Sequence, residues 1–237
     1  MDTDGDQKAG TPAPGTKRFS ASWSPRAETS LQGLGLPERP YAGYIFDLDG
    51  TLLDTMPLHF RAWSYALRQA GLNEDLDEAL FYSMGGVAAA PAAEAYARHY
   101  GIKLDAARVE RDKDAHFDAL RPQVLPIEAV AAFARLLAPL HPLSVASGAP
   151  RKQVVASLEA AGLHSLFRVV VTAEDAARGK PQPDLFFVAA SRMAVAPRAC
   201  LVFEDADPGI AAAEAAGMDW VRVRRGPTRP GGVARGP

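Results

Sequence analysis

The fold is decided by the segment YAGYIFDLDGTLLD, residues 41–54. Its first half is a short, continuous apolar run, which is typical of a strand buried on both faces of a sheet. Asp47 and Asp49 follow this run with one residue between them, and Gly50 then allows a tight turn. Alone, such a pair is an ordinary solvated turn, because Asp and Gly are common turn residues. Directly after a buried strand, the two carboxylates can instead face a common site.

Four further apolar runs follow along the chain, and helical patterns lie between them. The predicted strands are Ala42–Phe46, Leu143–Ala146, Val169–Val171, Cys200–Phe203 and Trp220–Val223. The predicted helices in the same part of the chain are Glu128–Leu140, Arg151–Ala161, Pro181–Met193 and Pro208–Ala216. This alternation predicts an α/β fold: a Rossmann-like parallel sheet core with helices on both faces. Such sheets bind ligands beyond the carboxyl ends of their strands.

The gap between the first two predicted strands is far longer than a crossover needs. It spans about 100 residues, from Asp47 to Ser147, whereas a strand–helix–strand unit takes about 30. We interpret residues 58–120 as an inserted helical cap that forms a lid over the ligand-binding edge. Residues 41–57 and 121–223 then form the core domain. The predicted cap helices are Leu58–Gly71, Asp75–Ser83, Ala89–Tyr100 and Asp105–Leu120.

Length, charge and cysteine content exclude several classes of protein. The chain has 237 residues, which suits one core with a modest insertion. Its formal net charge of −2 lacks the basic excess of a nucleic-acid-binding protein. The single cysteine, Cys200, excludes an intramolecular disulfide and a thiolate metal cluster. Since neither a membrane span nor a secretory leader is recognisable, we expect a cytoplasmic monomer without nucleic-acid or membrane partners.

The two ends of the chain differ in composition from the middle. Residues 1–40 are rich in Gly, Pro, Ser, Thr and charged residues, and they show no sustained apolar periodicity. Residues 224–237 contain mainly Gly, Pro and Arg and lack an apolar pattern as well. Such segments cannot bury enough apolar surface to fold, so we predict a disordered N-terminal tail and a flexible C-terminal tail.

Polar residues also stand at the ends of the other predicted strands. Ser147 and Gly148 follow the second strand and can hold an anion with a hydroxyl group and free backbone amides. Lys180, in the loop after the third strand, can neutralise a phosphate or clustered carboxylates. Glu204 and Asp205 follow the fourth strand and offer the oxygen ligands that Mg²⁺ prefers. Each has an ordinary alternative, such as a capping serine, a surface lysine or a polar strand end.

In this order, these residues resemble the four motifs of the haloacid dehalogenase superfamily: a nucleophile loop, a Ser or Thr, a Lys and an acidic pair. The resemblance covers residues 41–223. It implies that Asp47 is a nucleophile that forms an aspartyl-phosphate, and that Asp49 is the general acid and base. It further implies that Ser147, Gly148 and Lys180 hold the phosphoryl oxygens.

The resemblance also implies a Mg²⁺ ion as the cofactor. Its ligands would be Asp47, the backbone carbonyl of Asp49, and Asp205, with Glu204 either as a ligand or behind the ligands. The cation is needed because an anionic carboxylate must approach an anionic phosphate. The true dehalogenases of the superfamily need neither Mg²⁺ nor the second aspartate, so Asp49 favours phosphoryl transfer. Thr51 would support the nucleophile loop.

The cap lies where the β-phosphoglucomutase and sugar-phosphatase branch of the superfamily carries its helical cap. The stretch DTMPLHFRAW, residues 54–63, resembles the hinge and first cap helix of that branch. The stretch FEDADPGI, residues 203–210, is similar to small bacterial fructose-1-phosphate phosphatases. Within the hinge, His59 either positions Asp49 and senses the state of the lid, or is a polar residue packed at the junction of the two domains.

Two departures separate this chain from a mutase of the same branch. Such mutases commonly hold the distal phosphate with a cap arginine, which is missing from the matching stretch GGVAAA, residues 85–90. Arg98 or Lys113 could replace it. The branch also often has Val at the position of Thr51. We therefore expect a phosphatase that acts on a small phosphorylated metabolite, a sugar phosphate, with a phosphomutase, a catalytically silent binding protein and a halide-releasing hydrolase as alternatives.

Overall fold

A computed structural model of the protein describes residues 36–37 and 39–223. The predicted C-terminal tail lies outside these residues, as does most of the predicted N-terminal tail. The part of the N-terminal segment that is described contacts the core: Leu36 packs against buried apolar residues. The guanidinium Nε of Arg39 donates to the Asp219 carboxylate at 2.7 Å. The chain is therefore attached to the core immediately before the first strand.

Five parallel strands form one sheet in the order β3-β2-β1-β4-β5. They are β1 (Gly43–Phe46), β2 (Leu143–Ala146), β3 (Val169–Val171), β4 (Cys200–Glu204) and β5 (Asp219–Arg222). The strand β1 lies at the centre, between β2 and β4. Every residue of these three strands is buried, which is why their sequences are continuous apolar runs. The prediction of a Rossmann-like α/β fold is confirmed.

Eight α-helices accompany the sheet in the described part of the chain. They are α1 (Met56–Gln69), α2 (Glu78–Ser83), α3 (Ala89–Tyr100), α4 (Ala106–Leu120), α5 (Glu128–Leu137), α6 (Arg151–Ala160), α7 (Asp184–Arg192) and α8 (Asp207–Ala215). Apolar side chains cover both faces of the sheet. Ile45 and Phe46 are neighbours in β1 but belong to different buried clusters, because successive side chains of a strand point to opposite faces. Cys200 is buried in the same cluster as Ile45.

The helices α1 to α4 lie between β1 and β2 in the chain and form the predicted helical insertion. They enclose a third buried cluster, to which Trp63, Phe81 and Tyr96 contribute. Phe117 of α4 instead joins the core cluster that contains Phe46, so the insertion and the sheet share an apolar junction. The boundaries at residues 58 and 120 stay a prediction. None of the helices in the described part of the chain combines the length and apolar character of a membrane span.

Three helix ends differ from the prediction by three residues each. The helix α7 begins at Asp184 rather than Pro181, because a residue that precedes a proline, here Gln182, avoids the helical conformation. Lys180 therefore stands in a loop, several residues before the helix. The helix α2 begins after Asp77, whose carboxylate caps it, and α5 ends at Leu137 rather than Leu140. The other predicted ends lie within two residues of the structure.

Candidate active site

The predicted site residues stand where the central strands end. The Asp47 amide donates to the Phe203 carbonyl at 3.0 Å, which extends the pairing of β1 with β4 by one residue. The Ser147 amide likewise donates to the Val171 carbonyl at 3.0 Å. Both residues are thus held by the backbone of a neighbouring strand. The ends of the parallel strands consequently present their polar side chains at one edge of the sheet.

Lys180 joins the ends of two neighbouring strands. Its Nζ donates to Asp47 Oδ1 at 2.6 Å and to Glu204 Oε1 at 2.5 Å. All three side chains are nearly inaccessible to solvent, with exposed fractions of 7%, 11% and 2%, respectively. Burial lowers the pKa of a lysine, but the two carboxylates outweigh it and raise the pKa of Lys180 above its usual range. The lysine therefore stays charged although it is buried.

Asp47 lies in a crowded acidic group. Burial raises its pKa; the Lys180 ammonium opposes this, and Glu204 and Asp205 add to it, so that the pKa stands well above the usual value. Carboxylate oxygens of Asp47, Glu204 and Asp205 all lie within 4.8 Å of one another. One lysine cannot balance three carboxylates. Further positive charge would stabilise the group, and hard oxygen ligands suit a small divalent cation.

Two glycines leave room for the side chains of the acidic group. A Cβ atom on Gly209, in the first turn of α8, would lie 1.7 Å from Oε1 of Glu204. That side chain reaches over the start of the helix, and its Oε2 accepts hydrogen bonds from the amides of Asp205 and Ala206 at 2.8 and 3.0 Å. Gly50 has a φ of +84°, and a Cβ there would lie 2.4 Å from Asp205 Oδ2. Both positions therefore need glycine.

Asp49 has a different set of neighbours, contributed by the N-terminal end of α1. Its Oδ1 accepts a hydrogen bond from Thr55 Oγ1 at 2.7 Å, and His59 Nε2 lies 3.3 Å from the same oxygen. Burial acts to raise the pKa of Asp49. Hydrogen bonds from His59 and Thr55, with the charges of His59 and Lys113, outweigh burial and lower it below the usual value. The two aspartates of the motif are thus perturbed in opposite directions.

The remaining predicted residues lie around this group. Thr51 is fully buried, and its hydroxyl is 3.5 Å from Asp205 Oδ1, so it contacts the acidic pair. Ser147 is 2% exposed, and its Oγ accepts a hydrogen bond from the Ala149 amide at 3.1 Å. No atom lies within 4 Å of a Cβ built on Gly148. Among the described residues, Ser147 and Gly148 form no hydrogen bond with the carboxylates, and Gly148 faces open space.

Sequence reasoning missed two residues that touch the site and left a third undecided. Thr55 and Phe117 were not singled out, although Thr55 bonds Asp49 and the ring of Phe117 stacks on that of His59 at 4.0 Å. Thr55 stands in the same quoted segment as His59, residues 54–63, so that segment could have indicated it. Phe117 lies far from His59 in the sequence, and no local pattern links the two. Lys113 is 8% exposed, and its charge acts on Asp49.

The other proposed replacement for the cap arginine does not lie in this environment. The side chain of Arg98 is 72% exposed and pairs with Glu94 at 3.8 Å. Its guanidinium is therefore solvated on the outside of α3. Of the two residues that could replace a cap arginine, Lys113 is the one whose charge reaches the site.

A cavity of about 600 Å³ lies beside the edge strand β3, away from the acidic group. Its lining includes Arg151 and Arg192, both of which pair with Asp175 and donate to the Val170 carbonyl. Because these hydrogen-bond and ion-pair partners already satisfy the two guanidiniums, we interpret the cluster as structural: it links the edge strand β3 to α6 and α7.

Residues 44–223 match the family model of the haloacid dehalogenase-like hydrolases. The match includes all of the sheet except Gly43, the helical insertion and every residue placed above at the acidic group or at Asp49. The parallel sheet and the acidic, lysine-bridged site at its carboxyl edge agree with the motifs on which the resemblance to this class of hydrolase rests. The chain belongs to the haloacid dehalogenase-like hydrolase family, and the resemblance seen in the sequence is confirmed.

Individual relatives place the chain within the family. It is 38% identical to the fructose-1-phosphate phosphatase of Escherichia coli over 78% of this chain and 97% of the relative. It is 29% identical to the β-phosphoglucomutase of Bacillus subtilis, over 77% of this chain and 83% of the relative. A crystal structure of CbbY from Rhodobacter sphaeroides in complex with phosphate aligns with a TM-score of 0.65 and 26% identity, covering 76% of this chain and 84% of that one. The resemblance to the β-phosphoglucomutase and sugar-phosphatase branch is therefore confirmed.

Proposed function

We propose that the protein is a Mg²⁺-dependent phosphatase that hydrolyses a small sugar phosphate through an aspartyl-phosphate intermediate. The observation that carries this proposal is the contrast between the two aspartates. Asp47 is buried against the Lys180 ammonium, whereas Asp49 is held by a hydroxyl and an imidazole. This arrangement suits one carboxylate to nucleophilic attack and the other to proton transfer. The similarity to a fructose-1-phosphate phosphatase supports the substrate class.

The donor set of the acidic group fits a divalent cation. The carboxylates of Asp47 and Asp205, with the backbone carbonyl of Asp49, would hold it. Glu204 already accepts three hydrogen bonds, from Lys180 and from two backbone amides, so its role is to fix the lysine and the turn rather than to bind the ion. When bound, Mg²⁺ neutralises part of the charge that separates a carboxylate from a phosphate.

In the first step, a carboxylate oxygen of Asp47 attacks phosphorus, and the bond from phosphorus to the sugar oxygen breaks. Asp49 gives its proton to that leaving oxygen, so that an alcohol rather than an alkoxide departs. A dianionic phosphate beside Asp49 raises the pKa of its carboxyl, because like charges disfavour ionisation. Substrate binding thus helps to supply the protonated form that this step needs.

In the second step, water attacks the phosphorus of the aspartyl-phosphate. Asp49, now a carboxylate, takes the proton from water, and the bond from phosphorus to the Asp47 oxygen breaks. The products are inorganic phosphate and the original Asp47 carboxylate. The hydrogen bonds from Thr55 and His59 lower the pKa of Asp49 in the absence of substrate and favour this carboxylate form.

The phosphoryl oxygens would be held by Ser147, Gly148 and Lys180. The open space beside Gly148 lets a phosphoryl group approach the backbone there. Lys180 balances the charge of Asp47 and Glu204 and can share its ammonium with an incoming oxygen.

The test is release of inorganic phosphate from a panel of phosphorylated sugars, nucleotides and glycolate. We expect at least one sugar phosphate to be hydrolysed, EDTA to stop the reaction and Mg²⁺ to restore it. The Asp47→Asn variant should release no phosphate above background. Full activity of that variant, or hydrolysis that EDTA does not affect, would contradict the proposed mechanism.

The second candidate is a phosphomutase, which the similarity to a β-phosphoglucomutase favours. A mutase has to protect its aspartyl-phosphate from water and return the phosphoryl group to a reoriented sugar phosphate. The cap arginine used for this is missing from residues 85–90, although Lys113 offers a buried ammonium, which pairs with Asp114 at 2.9 Å. Glucose 1-phosphate, assayed with and without a bisphosphate activator, separates the two candidates: an isomerised product indicates a mutase, and free phosphate a phosphatase.

Two alternatives are less well supported by the site. A catalytically silent binding protein would not need all of Asp47, Asp49, Lys180 and the acidic pair, and it would release no phosphate from any substrate of the panel. A halide-releasing hydrolase would need no cation and no second aspartate. Its mark would be halide release from a haloacid in the presence of EDTA.

A further inference from the structure

We propose that Phe117 is a positioning residue: its ring holds the imidazole of His59 in the plane from which it bonds Asp49. This inference rests on the proposed function, because it concerns the aspartate assigned to proton transfer. A buried apolar residue of the cap thereby contributes to the chemistry at the edge of the sheet.

The two rings form a close, parallel stack. The ring centroids of His59 and Phe117 are 4.0 Å apart, and the ring planes are inclined by only 2°. Phe117 is 1% exposed, and the side chain of His59 is 16% exposed. A ring confined in this way cannot turn freely about its Cβ–Cγ bond, so the stack fixes the plane of the imidazole, and in that plane Nε2 points toward Asp49.

That direction decides how Asp49 is held. The distance from His59 Nε2 to Asp49 Oδ1 is 3.3 Å, long enough for the hydrogen bond to weaken quickly if the ring tilts. Thr55 donates to the same oxygen at 2.7 Å. Within the described part of the chain, no hydrogen bond reaches Oδ2, which is left for proton exchange. The stack thus helps to select which oxygen of Asp49 is engaged and which stays available.

Phe117 is itself held in place from two sides. It belongs to the apolar cluster at the junction of insertion and sheet, with Leu58 and Ala62 of α1. The guanidinium carbon of Arg121 lies 5.7 Å from the centroid of its ring, and Arg121 also pairs with Asp118. The position of His59 therefore depends on how α4 packs against α1. Packing within the cap is in this way linked to the acid and base residue of the core.

The first test measures the stack without using activity. A ring that lies over another aromatic ring experiences its ring current, so the His59 ring protons should resonate upfield in the wild-type protein. The chain contains 5 histidines, and loss of one set of signals in His59→Gln assigns them. We expect Phe117→Leu to move these signals back toward their ordinary positions and Phe117→Tyr to keep them upfield. Unshifted signals in the wild-type protein would overturn the inference.

The second test compares substrates with different leaving groups. A sugar phosphate needs its leaving oxygen protonated, whereas p-nitrophenyl phosphate releases a stable anion that needs little help. For Phe117→Leu we expect kcat/KM, which reports the steps up to departure of the leaving group, to fall about tenfold for the best sugar phosphate of the panel, a part of the 10²–10⁴ typical of general acid catalysis. The kcat/KM for p-nitrophenyl phosphate should fall about twofold or less, because its leaving group needs no proton, and Phe117→Tyr should restore most of the loss.

A matched control separates positioning from loss of packing. Phe133 is buried in the same cluster but contacts Tyr44 and Phe203 rather than His59. Phe133→Leu should lower stability by a similar amount and leave the ratio of the two kcat/KM values unchanged. Equal losses on both substrates, or the same ratio in both leucine variants, would overturn the inference for Phe117. Absence of any phosphate release by the wild-type protein would instead overturn the proposed function, and the ring-proton measurement would still decide whether the stack exists.

Discussion

The site has two halves that are built differently, although their central residues are separated by a single leucine. The core half consists of Asp47, Lys180, Glu204 and Asp205, and all of it comes from strand ends and the loops after them. In the cap half, Asp49 is bound by groups at the start of the insertion. These are Thr55, at the N-terminus of α1, and His59 within that helix.

The difference is visible in the two carboxyl groups. Asp47 shares one ammonium with a second carboxylate, so burial and like charges prevail and its pKa is raised. At Asp49, hydrogen bonds from the His59 imidazole and the Thr55 hydroxyl, with the charges of His59 and Lys113, outweigh burial and lower its pKa. In the core half, the charged Lys180 at the sheet edge stabilises the carboxylates. In the cap half, Asp49 is stabilised by groups that the packing of the cap helices positions. Disturbing the sheet edge should abolish the reaction, whereas disturbing the cap should slow the proton transfers that Asp49 performs.

Removing the charge of Asp47 should give the largest effect. Asp47→Asn retains the shape of the side chain but loses the anionic oxygen that attacks phosphorus. We expect kcat for phosphate release to fall by about 10⁴-fold or more, as for other nucleophile substitutions. Asp75→Asn, at a side chain that is 91% exposed in the cap, is the matched control and should behave like the wild-type protein. A loss of less than about tenfold in kcat would show that Asp47 is not the nucleophile.

Lys180→Met should disturb the core half next most strongly. It leaves the buried carboxylates of Asp47 and Glu204 without their shared cation. We expect a loss of about 3 kcal/mol in the free energy of unfolding, measured with denaturant, because an unpaired buried charge is costly. Activity should fall by about 10³-fold, since a charge contact to the phosphoryl group is also lost. Lys152→Met, at an exposed position on α6, should change neither quantity.

Gly209→Ala tests how closely the side chain of Glu204 packs against the backbone of α8 in the core half. The added Cβ would fall 1.7 Å from Oε1 of Glu204, so the carboxylate that holds Lys180 must move. We expect a loss of about 1–3 kcal/mol in the free energy of unfolding, typical of an overpacked buried site, together with weaker catalysis. Gly179→Ala adds a Cβ that meets no atom within 4 Å. That variant should unfold like the wild-type protein, and equal effects at both glycines would contradict this close packing.

Thr55→Val should have the smallest effect of the four, and it acts on the cap half alone. It removes the 2.7 Å hydrogen bond to Asp49 and keeps the volume of the side chain. We expect about a tenfold loss of kcat, since a hydrogen bond to a charged group is worth about 1.5–3 kcal/mol and His59 remains. Thr55→Ser keeps the hydroxyl and should restore most of the activity. If Thr55→Val lost as much activity as Lys180→Met, the two halves would not be distinct.

The core half was largely predictable from the sequence, because each of its residues stands next to a strand that local apolar runs reveal. Asp47, Glu204 and Asp205 follow such runs directly, and a parallel sheet brings strand ends to one edge. Lys180 was predicted to adjoin the helix, but the helix begins three residues later. The lysine therefore reaches the carboxylates from a loop, which allows its ammonium to contact two neighbouring strands.

The cap half was only partly predictable, since its contacts depend on how helices pack rather than on local pattern. The sequence left two interpretations of His59 open, a partner of Asp49 or a packed residue, and the structure shows contacts of both kinds. Its functional role stays a prediction. The stack with Phe117 arises from the packing of α4 on α1, which no apolar periodicity specifies. For the same reason, the sequence could not choose between Arg98 and Lys113.

The most direct test of the central claim is to locate the phosphoryl group on the protein during turnover. Turnover with the best sugar phosphate is quenched in acid, the protein is treated with borohydride, which reduces an aspartyl-phosphate to homoserine, and the product is mapped by peptide mass spectrometry. We predict homoserine at position 47 and at no other aspartate, and none when substrate is omitted. Conversion at Asp49 would contradict the account. So would rapid phosphate release without conversion at Asp47, or no conversion at Asp47 when Asp49→Ala, which slows the second step, turns over p-nitrophenyl phosphate, whose leaving group needs no proton.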